Sequence, residues 1–168
     1  MKSHRVIRIA AFGMTLLACA ARFADALARA ADHPLLDADA RAELAAFCRR
    51  EALQAKRVRE LGERPFSLVR PDYRQPRFEA WQPLGLVLHV TPSNAALLPF
   101  MAVLEGLLAG NVNWLRPSSS DRGFSARLLA DFLRHDDSAS LAGRVAVLPV
   151  ATKRVNATGT TATDLVAL

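Results

Sequence analysis

Apolar residues crowd most densely between Leu84 and Leu115, and their spacing changes twice within that stretch. The unbroken run Leu84 to Val90 is β-branched and too apolar to be half exposed, which predicts a strand covered on both faces, as in a parallel sheet. Pro92 stops it. From Ala95 to Ala109, Leu98, Met101, Ala102, Leu104 and Leu108 recur every three or four residues, and Gly110-Asn111 supplies the stop of a helix. A second strand, Val112 to Leu115, runs into Arg116-Pro117 and the hydroxyl-rich turn Ser118 to Ser120, after which Asp121 is placed to cap a helix from about Arg122 to Arg134. Phe124, Leu128, Leu129 and Phe132 share one side of that helix. Ser138 to Gly143 then reads as a turn and Val145 to Val150 as a third strand. The order β-α-β-α-β defines an α/β class: half of a doubly wound parallel sheet, with ligands expected at the carboxyl ends of its strands.

Upstream the period is helical. Residues 22–62 form an α-helical region interrupted at His33-Pro34, because proline disfavours helix in the residue before it. After Asp37, the positions Leu44, Phe47, Cys48, Ala52, Ala55, Val58 and Leu61 draw one apolar stripe that ends at Gly62. Residues 63–83 hold Pro65, Pro71, Pro76 and Pro83, so they make an extended connector, with Phe66, Tyr73, Phe78 and Trp81 expected to pin it down. The first 21 residues allow two readings. Lys2, His4, Arg5 and Arg8 before the uncharged run Ile9 to Ala21 resemble an export signal, and the run is too short for a membrane span; alternatively an alanine-rich helix starts here and continues through Phe23 and Leu27. The chain therefore divides into residues 1–21, a helical region 22–62, a connector 63–83, an α/β unit 84–150 and a tail 151–168.

Composition narrows the function. With 168 residues and 51% hydrophobic content the chain has a core to bury and is not disordered. The net charge of +6 raises a polyanionic partner. The arginines are scattered among Glu51, Glu60, Glu63, Asp72 and Glu79 without a basic-aromatic pattern, which argues against nucleic acid. Cys19 and Cys48 have neither metal-ligand spacing nor neighbouring histidines, and Cys48 reads as a small buried hydrophobe. His89, opposite in direction to Leu88 and Val90, reads as a packed histidine with one hydrogen bond. The turn after the first strand, Thr91-Pro92-Ser93-Asn94, has no glycine, so dinucleotide recognition of the GxGxxG kind is excluded there.

Two motifs carry a family resemblance. PLGLVLHVTPSN resembles the first strand and the Pro-x-Asn turn of the cofactor domain in the aldehyde dehydrogenase superfamily. GLLAGNVNWLRPSSSD is similar to the helix end, second strand and Arg/Lys-Pro-Ser turn of its LuxC-type acyl-CoA reductases. The good resemblance covers Pro83 to about Leu133, and a weaker one reaches back to Arg22. It implies an aldehyde dehydrogenase-like sheet and the reduction of acyl-CoA or acyl-protein thioesters to aldehydes, with an acyl-transferring partner protein. A homo-oligomer is left open, and the setting implied is cytoplasmic, with export as the alternative. By resemblance Asn94 holds the oxyanion formed when a thiolate attacks the acyl carbon, a task suited to a neutral amide donor; it equally fits the cap of a helix starting at Ala95. Thr91, Pro92 and Ser93 form the rest of that cofactor turn. Arg116, with Ser118 and Ser119, takes the position that contacts the adenosine ribose or its phosphate. NAD-preferring relatives often carry an acidic residue where Ser119 stands, so NADP is the cofactor implied. The family's nucleophilic cysteine lies downstream of these turns, and none follows Cys48, which implies an N-terminal part that is inactive alone. Thr158-Gly159-Thr160-Thr161 faintly resembles a later phosphate turn. A glutamate semialdehyde dehydrogenase-like enzyme and a non-catalytic basic binding module are the alternatives.

Overall fold

The structure is a computed structural model that describes residues 2–63, 66–148 and 166–167, with side chains described from Phe12 to Leu148. Helix α1 (Lys2–Arg29) is continuous, so residues 2–21 belong to a long helix that does not stop at Ala21. Phe12, Leu16, Leu17, Ala20, Phe23, Ala24 and Leu27 fall on one stripe of it and are buried. Helices α2 (Ala38–Phe47) and α3 (Arg50–Leu61) pack against α1. Asp37 caps α2, its carboxylate accepting the Ala40 N–H at 2.8 Å.

The single stripe expected from Leu44 to Leu61 does not exist. The helix breaks at Cys48 and Arg49, where the backbone turns extended at Arg49. The break resets the helical phase, so Leu53 is buried while Ala52, Ala55 and Val58 face solvent. The connector is likewise less anchored than its aromatics imply. Tyr73, Phe78 and Trp81 are exposed, and what organises the segment is a small antiparallel bridge in which Val69 and Glu79 exchange two backbone hydrogen bonds of 2.8 Å.

Strands β1 (Leu86–Val90), β2 (Val112–Arg116) and β3 (Val145–Val147) form a parallel sheet in that order, joined by α4 (Leu98–Leu108) and α5 (Phe124–Leu133). A short strand β4 (Val166–Ala167) pairs antiparallel with β3. Pro149 and Val150, the end of the expected third strand, lie outside the described residues, as do Thr158 to Thr161.

The helices cover one face of the sheet only. Asn113, Leu115, Val145 and Val147 are buried beneath them, whereas Leu86, Leu88 and Val90 are 53%, 53% and 62% exposed. The expectation that β1 is covered on both faces is thus corrected: the apolar run marks a face with no cover among the described residues. The buried face of α4 also differs from the expected one, being Phe100, Val103, Leu104, Leu107 and Leu108, with Leu98 exposed. A helix apolar nearly all round does not declare which side faces the core.

The helical region and the α/β unit share a single core. At its centre Phe23 of α1, Phe100 of α4 and Phe132 of α5 stack with centroid separations of 5.5 to 5.7 Å, two of the three contacts being edge-on.

Candidate functional site at the carboxyl rim of the sheet

The parallel register sets β1 and β2 to finish together, with Val90 beside Arg116, and the Thr91 N–H donates to the Arg116 carbonyl at 3.3 Å. The bend Thr91 to Asn94 and the bend Arg116 to Ser119 therefore leave the same rim side by side. Strand alternation puts Arg116 on the side of Val90, the bare face, while Thr91 points to the helical side. Arg116 is half-buried and forms no ion pair among the described residues. The Thr91 hydroxyl is buried without a hydrogen-bond partner. The unpaired Arg116 guanidinium beside the Ser118 and Ser119 turn is a donor group that fits an anionic ligand.

The first bend is open. Pro92, Ser93 and Asn94 are exposed, and α4 begins only at Leu98, with Leu97 as its cap residue and no side-chain capping bond. Asn94 therefore does not cap the helix, and of its two readings the capping one is overturned: residues 95–97 intervene. The second bend is self-braced. The Ser118 and Ser120 hydroxyls lie 2.9 Å apart, the Asp121 N–H donates to the Ser118 carbonyl, and the Asp121 carboxylate accepts from the Ser125 N–H and hydroxyl at the start of α5. Arg122 and Gly123 are consecutive left-handed residues, with φ of 50° and 77°, and turn the chain from the bend into α5. Ser119 is exposed at the tip.

Beneath the rim lies a polar network that periodicity alone did not reveal. His89 donates through Nε2 to Asn113 Oδ1 at 2.9 Å, the Asn113 amide donates to the Asn111 carbonyl at 3.0 Å, and Asn111 Oδ1 accepts the Gly85 N–H at 3.2 Å. The network ties both ends of β1 to β2. It needs Gly106: a Cβ there would stand 1.9 Å from Asn113 Oδ1. A glycine inside an apolar helix, followed by two asparagines in Asn111-Val112-Asn113, was the available signal. The expectation for His89, a packed histidine with one hydrogen bond, is met.

Neither cysteine is a nucleophile. Cys19 and Cys48 are fully buried, and burial pushes both thiols up to about 12. A second polar cluster lines a groove of about 520 Å³ between α1 and α5. There His33 donates to Asp131 at 2.9 Å while its Nδ1 accepts the Leu35 N–H at 3.1 Å, so both ring nitrogens are committed to fastening the α1–α2 turn onto α5. Among the described residues no group of three or more side chains is arranged to hold a metal, and no helix is long and apolar enough to cross a membrane.

A parallel α/β unit that gathers two polar bends on one carboxyl rim has the architecture in which open α/β sheets place their ligands. The chain belongs to the acyl-CoA reductase (LuxC) family, whose description matches residues 14–167. The match starts within α1, so the helical region and the sheet both lie inside the family's domain. No curated protein and no solved structure matches the chain.

Proposed function

We propose that this chain is the N-terminal part of an NADPH-dependent acyl-CoA reductase and supplies one wall of a doubly wound, aldehyde dehydrogenase-like nucleotide cleft. The observation that carries the proposal is the shared rim, where the Thr91 N–H meets the Arg116 carbonyl and the Arg116 guanidinium has no acidic partner among the described residues. Arg116, with the Ser118 and Ser119 hydroxyls behind it, binds the ribose 2′-phosphate through charge-assisted hydrogen bonds. No carboxylate stands at Ser119 to repel that phosphate. Thr91, Pro92 and Ser93 form the floor of the cofactor turn. NADPH, when bound, supplies the hydride for thioester reduction.

The exposed Asn94 amide is free to donate to the oxyanion that develops on the acyl carbon. The attacking thiolate comes from a segment other than the described one, because Cys19 and Cys48 are buried, protonated thiols. The isolated chain accordingly binds nucleotide without turnover. Its substrates are acyl-CoA or acyl-protein thioesters, handed over by an acyl-transferring partner in the cytoplasm.

Titration of NADPH against wild type and Arg116→Glu tests the assignment. Loss of a charge-assisted bond costs about 1.5–3 kcal/mol, so the variant binds roughly ten- to a hundredfold more weakly. NADH binding should change far less. Equal affinity of both proteins for NADPH removes Arg116 from the site.

A further inference from the structure

The bend after β2 carries a carboxylate close to where the proposed function puts an anion. Asp121 stands two residues beyond Ser119, and a carboxylate turned toward the ligand would repel a ribose 2′-phosphate. Its hydrogen bonds turn it the other way. The Asp121 oxygens accept the Ser125 N–H at 3.2 and 3.3 Å, and Oδ1 also accepts the Ser125 hydroxyl at 2.5 Å. Ser125 is fully buried in the first turn of α5, so the charge is directed inward against the positive end of that helix. The Asp121 backbone closes the bend as well: its N–H donates to the Ser118 carbonyl at 3.1 Å and its carbonyl accepts the Phe124 N–H at 2.9 Å. This closure holds the next residue in a costly conformation. Arg122 has a side chain, yet its φ is 50°, in the left-handed region that residues other than glycine adopt only where their surroundings impose it.

We infer that Asp121 is the positioning residue of the cofactor bend: by fastening Ser118 to the start of α5 it holds the Ser118 and Ser119 hydroxyls beside Arg116, and so sets the preference for NADPH over NADH. Asp121 itself touches no part of the cofactor. Without its carboxylate, the constraint that keeps Arg122 left-handed is lost. Return of φ to the helical region is a rotation of about 110°, which carries Ser118 to Ser120 away from Arg116. The 2′-phosphate is the group by which the two cofactors differ, so displaced hydroxyls weaken NADPH and leave NADH nearly unchanged. Simple charge repulsion gives the opposite sign, because removing a carboxylate near the phosphate would tighten NADPH.

The inference rests on the proposed cofactor site. Dissociation constants for NADPH and NADH are measured on the full chain as wild type, Asp121→Ala, Asp121→Asn, Ser125→Ala and Arg116→Glu, with circular dichroism to check each fold. Asp121→Ala is expected to weaken NADPH about tenfold, the loss of one good cap, and NADH by no more than about twofold. Asp121→Asn keeps an acceptor oxygen without the charge and stays within about twofold of wild type for both cofactors. Ser125→Ala removes a buried donor that no ligand can reach and weakens NADPH about threefold. If Asp121→Ala does not fold, Ser125→Ala decides alone, and its unchanged NADPH affinity overturns the inference. Tighter or unchanged NADPH binding by a folded Asp121→Ala, equal losses for both cofactors, or an Asp121→Asn protein as weak as Asp121→Ala overturns it too. An Arg116→Glu protein that loses NADPH while Asp121→Ala and Ser125→Ala keep it removes the inference alone. An Arg116→Glu protein that keeps NADPH removes the cofactor site, and the inference with it.

Discussion

Gly106→Ala is the substitution that the packing beneath the rim makes most informative, because general helix energetics and local geometry give it opposite signs. On an ordinary helix surface, alanine is about 1 kcal/mol better than glycine. Here the added methyl would lie 1.9 Å from Asn113 Oδ1, 2.9 Å from its Cγ and 3.1 Å from His89 Nε2. The Asn113 side chain is fully buried, so its amide has to swing away, breaking the bonds to His89 at 2.9 Å and to the Asn111 carbonyl at 3.0 Å. Each bond is worth about 1 kcal/mol, and leaving its buried partner unsatisfied adds a further 1–3 kcal/mol. Against the propensity gain, the net effect is a destabilisation of about 2–4 kcal/mol, or a fall of roughly 5–15 °C in Tm for a chain of this size. Urea titration followed by circular dichroism and tryptophan fluorescence measures it, with Trp114 reporting from the strand that carries Asn113. The decisive comparison is the same substitution in an Asn113→Ala background, where the obstructing amide is gone. Gly106→Ala should there cost nothing or stabilise by up to about 1 kcal/mol. A neutral Gly106→Ala in the wild-type background, or an equal penalty in both backgrounds, would refute the account of this network.

Other consequences follow from the core and the polar clasps. Phe132→Ala removes the ring that meets both Phe23 and Phe100 and should cost about 3–5 kcal/mol in chemical denaturation, with α1 loosening together with α5. The Asp131 carboxyl is pushed up by burial, but hydrogen bonds from His33 and Arg134 outweigh this and hold it below its ordinary 3.8; Asp136 is held low in the same way by Leu141 and Ser138. Their stabilisation is present above the unfolded value and disappears as pH falls through the lower folded values, so stability should drop below about pH 4. Asp131→Asn should flatten that acid limb, and an unchanged limb would argue against the clasp. Cys19 and Cys48 should resist a thiol reagent at pH 8 in the folded chain and both react once urea unfolds it; rapid native reaction of either would contradict their burial.

The α/β order, the parallel connectivity and the two rim bends were legible in the sequence because each depends on local patterns. An apolar run ended by Pro92, a helix stop at Gly110-Asn111, and Asp121 set before Ser125 act within a few residues of chain. The glycine-free turn and the arginine-serine turn were equally plain, as was the burial of Cys48. What the sequence left undecided depends on contacts between distant segments. That Phe12 to Leu27 lie on a helix packed into the core turned on Phe23 finding Phe100 and Phe132, more than 70 residues away. The break at Cys48-Arg49 shifted the buried position to Leu53, since α2 and α3 each had to lay a face on α1. Gly106, His89 and Asn113 became one unit only when α4 crossed the paired strands. The apolar character of β1 was written in its residues, but which of its sides met helices was set by the direction in which the sheet was wound, a property that no single segment of the chain possesses.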